Sequence, residues 1–325
     1  MNVNPARMTA FHDLEPELED FETAVMTGLS HTPKTLPCKF FYDQEGSRLF
    51  DLICELPEYY PTRTEIALLE MRAGEMATLM GPRCHVIEFG SGSSIKIRTL
   101  LNAMEDPAAC TAVDISRDHL IASAEDLAGE FPDVEITAIC ADYTQPFDVI
   151  PPKFHPDARR VGFFPGSTIG NFTPDEAVEF LSKAAKLLSG GDFLVGIDLK
   201  KDKARLEAAY DDAQGVTAAF NLNLLTRINR ELDGNFQLDG FAHQALYNET
   251  LGRVEMHLRS LRAQSVMIGG RSFDFAADET IHTENSHKYS IEGFQALAAR
   301  AGFSALHSWT DPDDLFSVHY LRATV

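Results

Sequence analysis

From about residue 85 onward, short apolar runs rich in β-formers alternate with stretches of helical periodicity. Residues 85–90 (HVIEFG) are an apolar run ending in glycine, and a helical pattern follows over 94–104. Further strand-like runs lie at 110–115 (CTAVDI), 134–141 (VEITAICA), 160–164 (RVGFF) and 193–197 (FLVGI). Between them, 117–130 and 174–188 read as helices. The second of these has Thr173 as its N-cap and Pro174 at its first position, where a missing N–H costs nothing. Strands separated by helix-length segments predict a parallel sheet with helices on both faces.

After Asp198 the rhythm changes. Residues 201–232 are helical in pattern, and 252–283 contain alternating runs (RVEMHLRSLRAQSVMI) that predict antiparallel strands. A helix returns at 290–301, stopped by Gly302, and strands at 305–309 and 316–322 flank a turn rich in Asp and Pro. The predicted fold class is α/β, a Rossmann-like sheet interrupted after its fifth strand by an insertion. The boundaries expected are 63–199 and 289–325 for this domain, with 1–62 and 200–288 forming a discontinuous second domain.

Composition narrows the function classes. With 28 basic and 49 acidic residues the net charge is −21, which repels phosphate backbones, and the densest basic cluster (Lys200, Lys201, Lys203, Arg205) is interrupted by Asp202. Nucleic acid is not an expected partner. No apolar run approaches the roughly 20 residues that span a bilayer, and the first 22 residues lack a signal-peptide pattern. The five cysteines are widely spaced with no C-x-x-C pair, which reads as reduced thiols in a cytoplasmic protein without membrane partners.

The ends of the predicted strands carry the candidate chemistry. Glu88-Phe89-Gly90-Ser91-Gly92-Ser93-Ser94 closes the first strand, and its glycines let the backbone turn tightly against a ligand. Asp114 ends the second strand, where a carboxylate can accept both hydroxyls of a ribose. Asp142 and Tyr143 end the third, an acid for an adenine amino group and a ring to stack on the base. Any one of these is weak; three successive strand ends make a coherent nucleoside site. The glycine pattern without a third glycine, the acid before it and the terminal hairpin favour S-adenosylmethionine over NAD. A helix followed by such a hairpin is how the seven-stranded methyltransferase sheet finishes.

A more specific pattern begins at Leu36 with LPCKFFYDQEGSRLFD and continues with LPEYYPTRTE from Leu56. FPGSTIGN follows from Phe164, AYDDAQGV from Ala209, VEM from Val254 and TENSHKY from Thr283. These six motifs resemble the histidine N-α-methyltransferases of ergothioneine biosynthesis, in order and over nearly the whole chain after about residue 30. The resemblance implies a cofactor domain and a substrate domain. It places Tyr42, Gly90, Lys96, Asp114, Asp142 and Tyr143 around S-adenosylmethionine. It places Tyr59, Gly166, Asn171, Tyr210, Met256, Glu284 and Ser286 around L-histidine, whose amine is converted to trimethylhistidine (hercynine).

In that scheme Glu284 and Ser286 read the imidazole, with Tyr59 nearby and Met256 lining the pocket. Asn171 and Tyr210 meet the α-carboxylate. Tyr42, Asn171 and the Gly166 carbonyl surround the amine, so Tyr42 and Asn171 are the catalytic candidates. Methyl transfer needs the neutral amine aimed at the methyl carbon, and uncharged groups orient it without favouring the ammonium as a carboxylate would. No general base stands out. His282 and His287 flank Glu284, but the spacing is not that of a metal motif, and no metal is expected. A relative acting on another amino acid or aromatic amine such as tryptophan stays open, as does a silent S-adenosylmethionine sensor. A monomer is expected.

Overall fold

The computed structural model describes residues 8–16, 20–91 and 94–324. In chain order it contains β1 (Ala10–Asp13), α1 (Phe21–Ser30), β2 (Lys34–Thr35), α2 (Gln44–Glu55) and α3 (Tyr60–Met80). Next come β3 (His85–Phe89), α4 (Ile95–Ala103), β4 (Ala109–Asp114), α5 (Arg117–Glu130), β5 (Glu135–Cys140), β6 (Arg160–Phe164), α6 (Pro174–Leu188) and β7 (Asp192–Asp198). Then follow α7 (Lys203–Tyr210), α8 (Val216–Glu231), β8 (Phe241–Asn248), β9 (Arg253–Ser260), β10 (Gln264–Ile268), β11 (Arg271–Phe275) and β12 (Thr280–His287). The chain closes with α9 (Ile291–Arg300), β13 (Phe303–Thr310) and β14 (Phe316–Ala323). Two units are distinguished. One holds the described residues of 1–17 with 63–199 and 289–325; the other holds those of 18–62 with 200–288.

The first unit is an α/β fold around a mixed sheet of 8 strands, in the order β1-β5-β4-β3-β6-β7-β14-β13. Strands β3 to β7 are parallel, while β14 runs antiparallel to β7 and to β13. Alternation along each strand feeds two cores. Val86, Ala112, Ala138, Phe163 and Leu194 face α3, α4 and α5; Ile87, Val113, Ile139, Phe164 and Val195 face α6 and α9. Helix α6 starts as its sequence predicts, with Pro174 in the first turn and a reciprocal capping box between Thr173 and Glu176.

One expectation for this unit needs correcting. Residues 10–13 do not fold with the second unit; β1 pairs in parallel with β5, from Ala10 opposite Thr137 to Asp13 opposite Cys140. The sheet therefore has one strand more than the seven expected. A four-residue strand of mixed polarity carries too little periodicity to be read from sequence.

In the second unit, β2, β12, β9 and β8 form a four-stranded sheet, and β10 and β11 a hairpin. The helical stretch expected over 201–232 is two helices. They break at Asp211–Gly215 because Gly215 adopts φ 74° and the Asp212 carboxylate accepts from the Val216 and Thr217 N–H groups, starting α8 afresh. The segment from Leu36 is held by Asp43. Its carboxylate caps α2 through the Gly46 N–H (2.8 Å) and accepts from Asn223 Nδ2 (2.8 Å) and Arg230 (2.7 Å) on α8. Gly46 is obligatory there, since a Cβ would stand 1.7 Å from the Phe41 carbonyl oxygen. Among the described residues, no helix is long and apolar enough to cross a membrane.

Candidate functional site

In the α/β unit the ends of β3, β4 and β5 lie side by side, with Phe89 opposite Val113 and Asp114 opposite Cys140. Gly90 leaves β3 at φ 77° and donates its N–H to the Val113 carbonyl at 2.8 Å. A Cβ on Gly90 would lie 3.7 Å from Tyr143 Cε1, so the turn and the tyrosine ring are neighbours. Tyr143 is held edge-on by Phe89, Phe164 and Phe180, at centroid distances of 6.4, 5.8 and 5.9 Å. Gly90, Asp114 and the Asp142–Tyr143 pair thus meet at one sheet edge. Gly92 and Ser93 of the loop lie outside the described residues.

The acids at this edge are individually oriented. Asp114 Oδ1 accepts from the Ser116 N–H at 2.8 Å, and Asp142 Oδ1 accepts from the Thr144 N–H (2.9 Å) and Oγ1 (2.7 Å). Burial raises the Asp114 pKa above its ordinary range, and the Ser116 bonds oppose that. Glu88 is buried, which pushes its pKa up to about 8 despite the nearby charge of Lys96. It is therefore largely protonated at neutral pH.

Lys96 has a definite partner. Its Nζ lies 2.5 Å from Glu65 Oε2, and the Glu65 carboxylate also accepts from the Gly166 N–H at 3.0 and 2.8 Å. Glu65 is 1% exposed, so this buried charge is paired and hydrogen-bonded as burial requires. Gly196 on β7 makes room for it, since a Cβ there would stand 2.0 Å from Glu65 Oε1. The turn is fixed from its other side by Ser167, whose Oγ accepts from the Asp198 N–H at 2.9 Å. Gly166 (φ 84°) and Ser167 (φ 54°) are both in the left-handed region, and Asn171 ends the short turn Thr168–Asn171 that follows.

In the second unit the site stands on a strand face. Glu284 on β12 pairs across the sheet with Met256 on β9, and Ser286 with Val254. Directly paired residues share a face, so Glu284, Ser286 and Met256 point the same way. Ser286 and Met256 are buried and Glu284 is half-buried. Burial pushes the Glu284 pKa up to about 7, the charge of Lys288 acting against it. Tyr210, the last residue of α7, lies with its Oη 2.7 Å from Ser286 Oγ and its ring 6.0 Å from that of Tyr59, edge-on. Tyr59 is pushed well above the usual phenol range by burial, with Tyr210, Cys54, Tyr42 and Glu284 adding to the shift. Tyr42 packs edge-on against Phe50 (5.6 Å) and Phe220 (5.7 Å) and is 45% exposed.

The family model for S-adenosylmethionine-dependent histidine-specific methyltransferases matches residues 21–323. The chain belongs to this family. It is 45% identical over 294 residues to a histidine N-alpha-methyltransferase of Mycolicibacterium smegmatis, covering 89% of this chain and 90% of that one. It is 43% identical over 293 residues to the protein of the same name from Mycobacterium tuberculosis, covering 88% and 90%. Ergothioneine biosynthesis protein 1 of Neurospora crassa is 29% identical over 299 residues, which is 89% of this chain and 33% of that longer protein.

Within this methyltransferase, the residues assigned by resemblance fall into two local groups. Gly90, Lys96, Asp114, Asp142, Tyr143, Gly166 and Asn171 belong to the α/β unit; Tyr42, Tyr59, Tyr210, Met256, Glu284 and Ser286 belong to the other. Sequence reasoning gave no role to Glu65 or Lys288, although both lie in quoted motifs. Glu65 pairs with Lys96 and Gly166, far along the chain, and Lys288 joins nearby Ser286 to distant Tyr210, so neither shows the spacing of a motif. Glu255, His257 and His282 form a separate cluster with ligand-type atoms within 4.8 Å of one another. It sits on the opposite face of the sheet from Glu284, and Glu255 is already paired with Arg253 at 2.8 Å.

Proposed function

We propose that the protein transfers methyl groups from S-adenosylmethionine to the α-amino nitrogen of L-histidine. Three successive transfers give N-α,N-α,N-α-trimethylhistidine (hercynine), the first step of ergothioneine biosynthesis. The observation that carries the reading is the strand face bearing Glu284 and Ser286 beside Met256, Tyr59 and Tyr210. A carboxylate and a hydroxyl two residues apart serve the two ring nitrogens of an imidazole. An indole offers a single N–H, so the tryptophan alternative leaves one of these groups unpaired, and motifs present on the substrate side as well as the cofactor side disfavour a mere sensor.

The α/β unit fits the nucleoside. Asp114, oriented by the Ser116 N–H, suits a ribose diol. Asp142, turned by Thr144, suits an adenine amino group, and Tyr143 offers its ring beside a glycine that has no side chain to obstruct the approach. When bound, the sulfonium supplies an electrophilic methyl group, and displacement at that carbon requires no metal. The chain's task is then positional. Glu284 accepts from the imidazole N–H, Ser286 meets the other ring nitrogen, and Asn171 holds the α-carboxylate; Tyr210, expected to share that task, has its one hydroxyl proton engaged by Ser286 instead. Tyr42, Asn171 and the Gly166 carbonyl orient the amine, whose lone pair must be free; water takes the proton that the ammonium loses before each transfer. The pairing of Glu65 with the Gly166 N–H and Lys96 stiffens the backbone that presents that carbonyl. The protein is proposed to act as a cytoplasmic monomer on these small molecules, without nucleic acid or membrane partners.

Incubating purified protein with labelled S-adenosylmethionine and each of the twenty amino acids tests the assignment. Histidine is expected to accept label, with the other amino acids near background; preference for another amino acid would contradict it.

A further inference from the structure

Lys288 lies two residues beyond Ser286 and is 2% exposed. Its Nζ donates to Ser286 Oγ at 2.8 Å and to Tyr210 Oη at 2.9 Å, and lies 4.8 Å from the centre of the Tyr210 ring. Tyr210 Oη in turn donates to Ser286 Oγ at 2.7 Å. Burying a lysine among apolar groups is costly unless its charge and donors are satisfied, so this arrangement needs a compensating use.

The proton count supplies one. An ammonium has three N–H donors and no acceptor, while a serine hydroxyl has one donor and two lone pairs. With Lys288 and Tyr210 both donating to Ser286 Oγ, both lone pairs are engaged, and the hydroxyl proton is the one function Ser286 has left to offer. A hydroxyl without the lysine can turn either way, donor or acceptor. Beside it on the same face, Glu284 is the acceptor, and the charge of Lys288 favours its ionised form.

We propose that Lys288 is a positioning residue that fixes Ser286 as a hydrogen-bond donor, so that the site selects a neutral imidazole presenting one N–H to Glu284 and one bare nitrogen to Ser286. An imidazolium, with two N–H groups, meets a donor at Ser286 and is disfavoured. A five-membered ring with an N–H but no second nitrogen leaves the Ser286 proton unpaired. This inference rests on the reading that histidine is the substrate.

The test uses Lys288→Met and Lys288→Gln in the full chain. Substrates are histidine and a β-pyrrolylalanine whose ring keeps the N–H but has C–H in place of the other nitrogen. The wild type is expected to prefer histidine by roughly a hundredfold or more in kcat/KM. Lys288→Met should raise the KM for histidine about tenfold or more, leave kcat within about threefold, and cut the preference over the pyrrole by about tenfold. Lys288→Gln, which keeps an N–H donor, should recover part of the lost preference, and calorimetry should find S-adenosylmethionine affinity unchanged in both variants. Unaltered histidine KM and unaltered preference in Lys288→Met overturn the inference. So does a joint loss of kcat and cofactor affinity without a change in preference in both variants, which marks a structural role. If the wild type does not methylate histidine at all, the substrate reading fails and takes the inference with it.

Discussion

The two units hold their proposed sites in different ways. In the α/β unit the chemistry stands where strands end: Gly90, Asp114 and Asp142–Tyr143 follow three neighbouring parallel strands, and much of the holding is done by backbone turns. In the second unit it stands within a strand, where Glu284 and Ser286 alternate on one face of an antiparallel sheet. A strand-end site is set by topology, so many sequences can supply it and it serves a common nucleoside. A strand-face site is set by which side chains occupy one row, and that row can be read as the specificity of the enzyme. If so, damage to each should separate cleanly.

The sharpest separation is expected from Glu284→Ala, which should raise the KM for histidine roughly a hundredfold while leaving S-adenosylmethionine affinity by calorimetry within about twofold. Equal loss of both would dissolve the distinction. Asp114→Ala is the mirror experiment. It should weaken the cofactor roughly ten- to a hundredfold, with histidine KM at saturating cofactor nearly unchanged.

Gly196→Ala probes the scaffold of the first site. The new methyl group would collide with Glu65 Oε1, displacing a buried carboxylate from the Gly166 N–H and from Lys96. A stability loss of about 3 kcal/mol by denaturant titration is expected. A loss below about 0.5 kcal/mol would show that Glu65 moves freely and holds nothing in place.

The charge on the strand face has a pH signature. The Glu284 pKa is raised by burial to about 7 from its ordinary 4.5. Between those values the unfolded chain has already lost the proton while the folded chain keeps it, so stability falls as pH rises through this window. Relative to Glu284→Gln, the ligand-free protein should lose on the order of 2 kcal/mol between pH 4.5 and 7.5, after allowing for partial exposure. Parallel pH profiles for the two proteins would mean the carboxyl is well solvated. The smallest effect is expected in Glu88→Gln. With its pKa at about 8, Glu88 is already neutral at pH 7, so the amide should change melting temperature and cofactor affinity little there. A large loss at pH 7 would mean Glu88 works as an anion.

Legibility in the sequence follows the same division. The α/β unit could be read from periodicity because fully buried parallel strands are continuous apolar runs bounded by turns, and ligand groups follow the last apolar residue. Gly90, Asp114 and Asp142 stand at or just beyond the ends of β3, β4 and β5, where that periodicity puts them, and Thr173–Pro174 announces α6 by capping chemistry alone. What failed was short or interrupted: β1, with four residues, and the break at Gly215, whose cue is one glycine after a capping aspartate. Glu284 and Ser286 offered no such cue, since alternating polar residues on a strand look the same whether they face solvent or ligand. They were recognisable only through the resemblance of the TENSHKY motif. Glu65 and Lys288 were missed for a further reason. Glu65 acts through Gly166, 101 residues away, and Lys288 completes its contact with nearby Ser286 through Tyr210, 78 residues away; pairing at such distances leaves no periodic trace.

The most direct single measurement is the position of the methyl groups on product formed from L-histidine and 13C-methyl S-adenosylmethionine, read by NMR. With the ring held at both nitrogens and the amine presented for transfer, every label should sit on the α-nitrogen and none on the imidazole. Label on a ring nitrogen, or no labelled histidine at all, would contradict the function proposed.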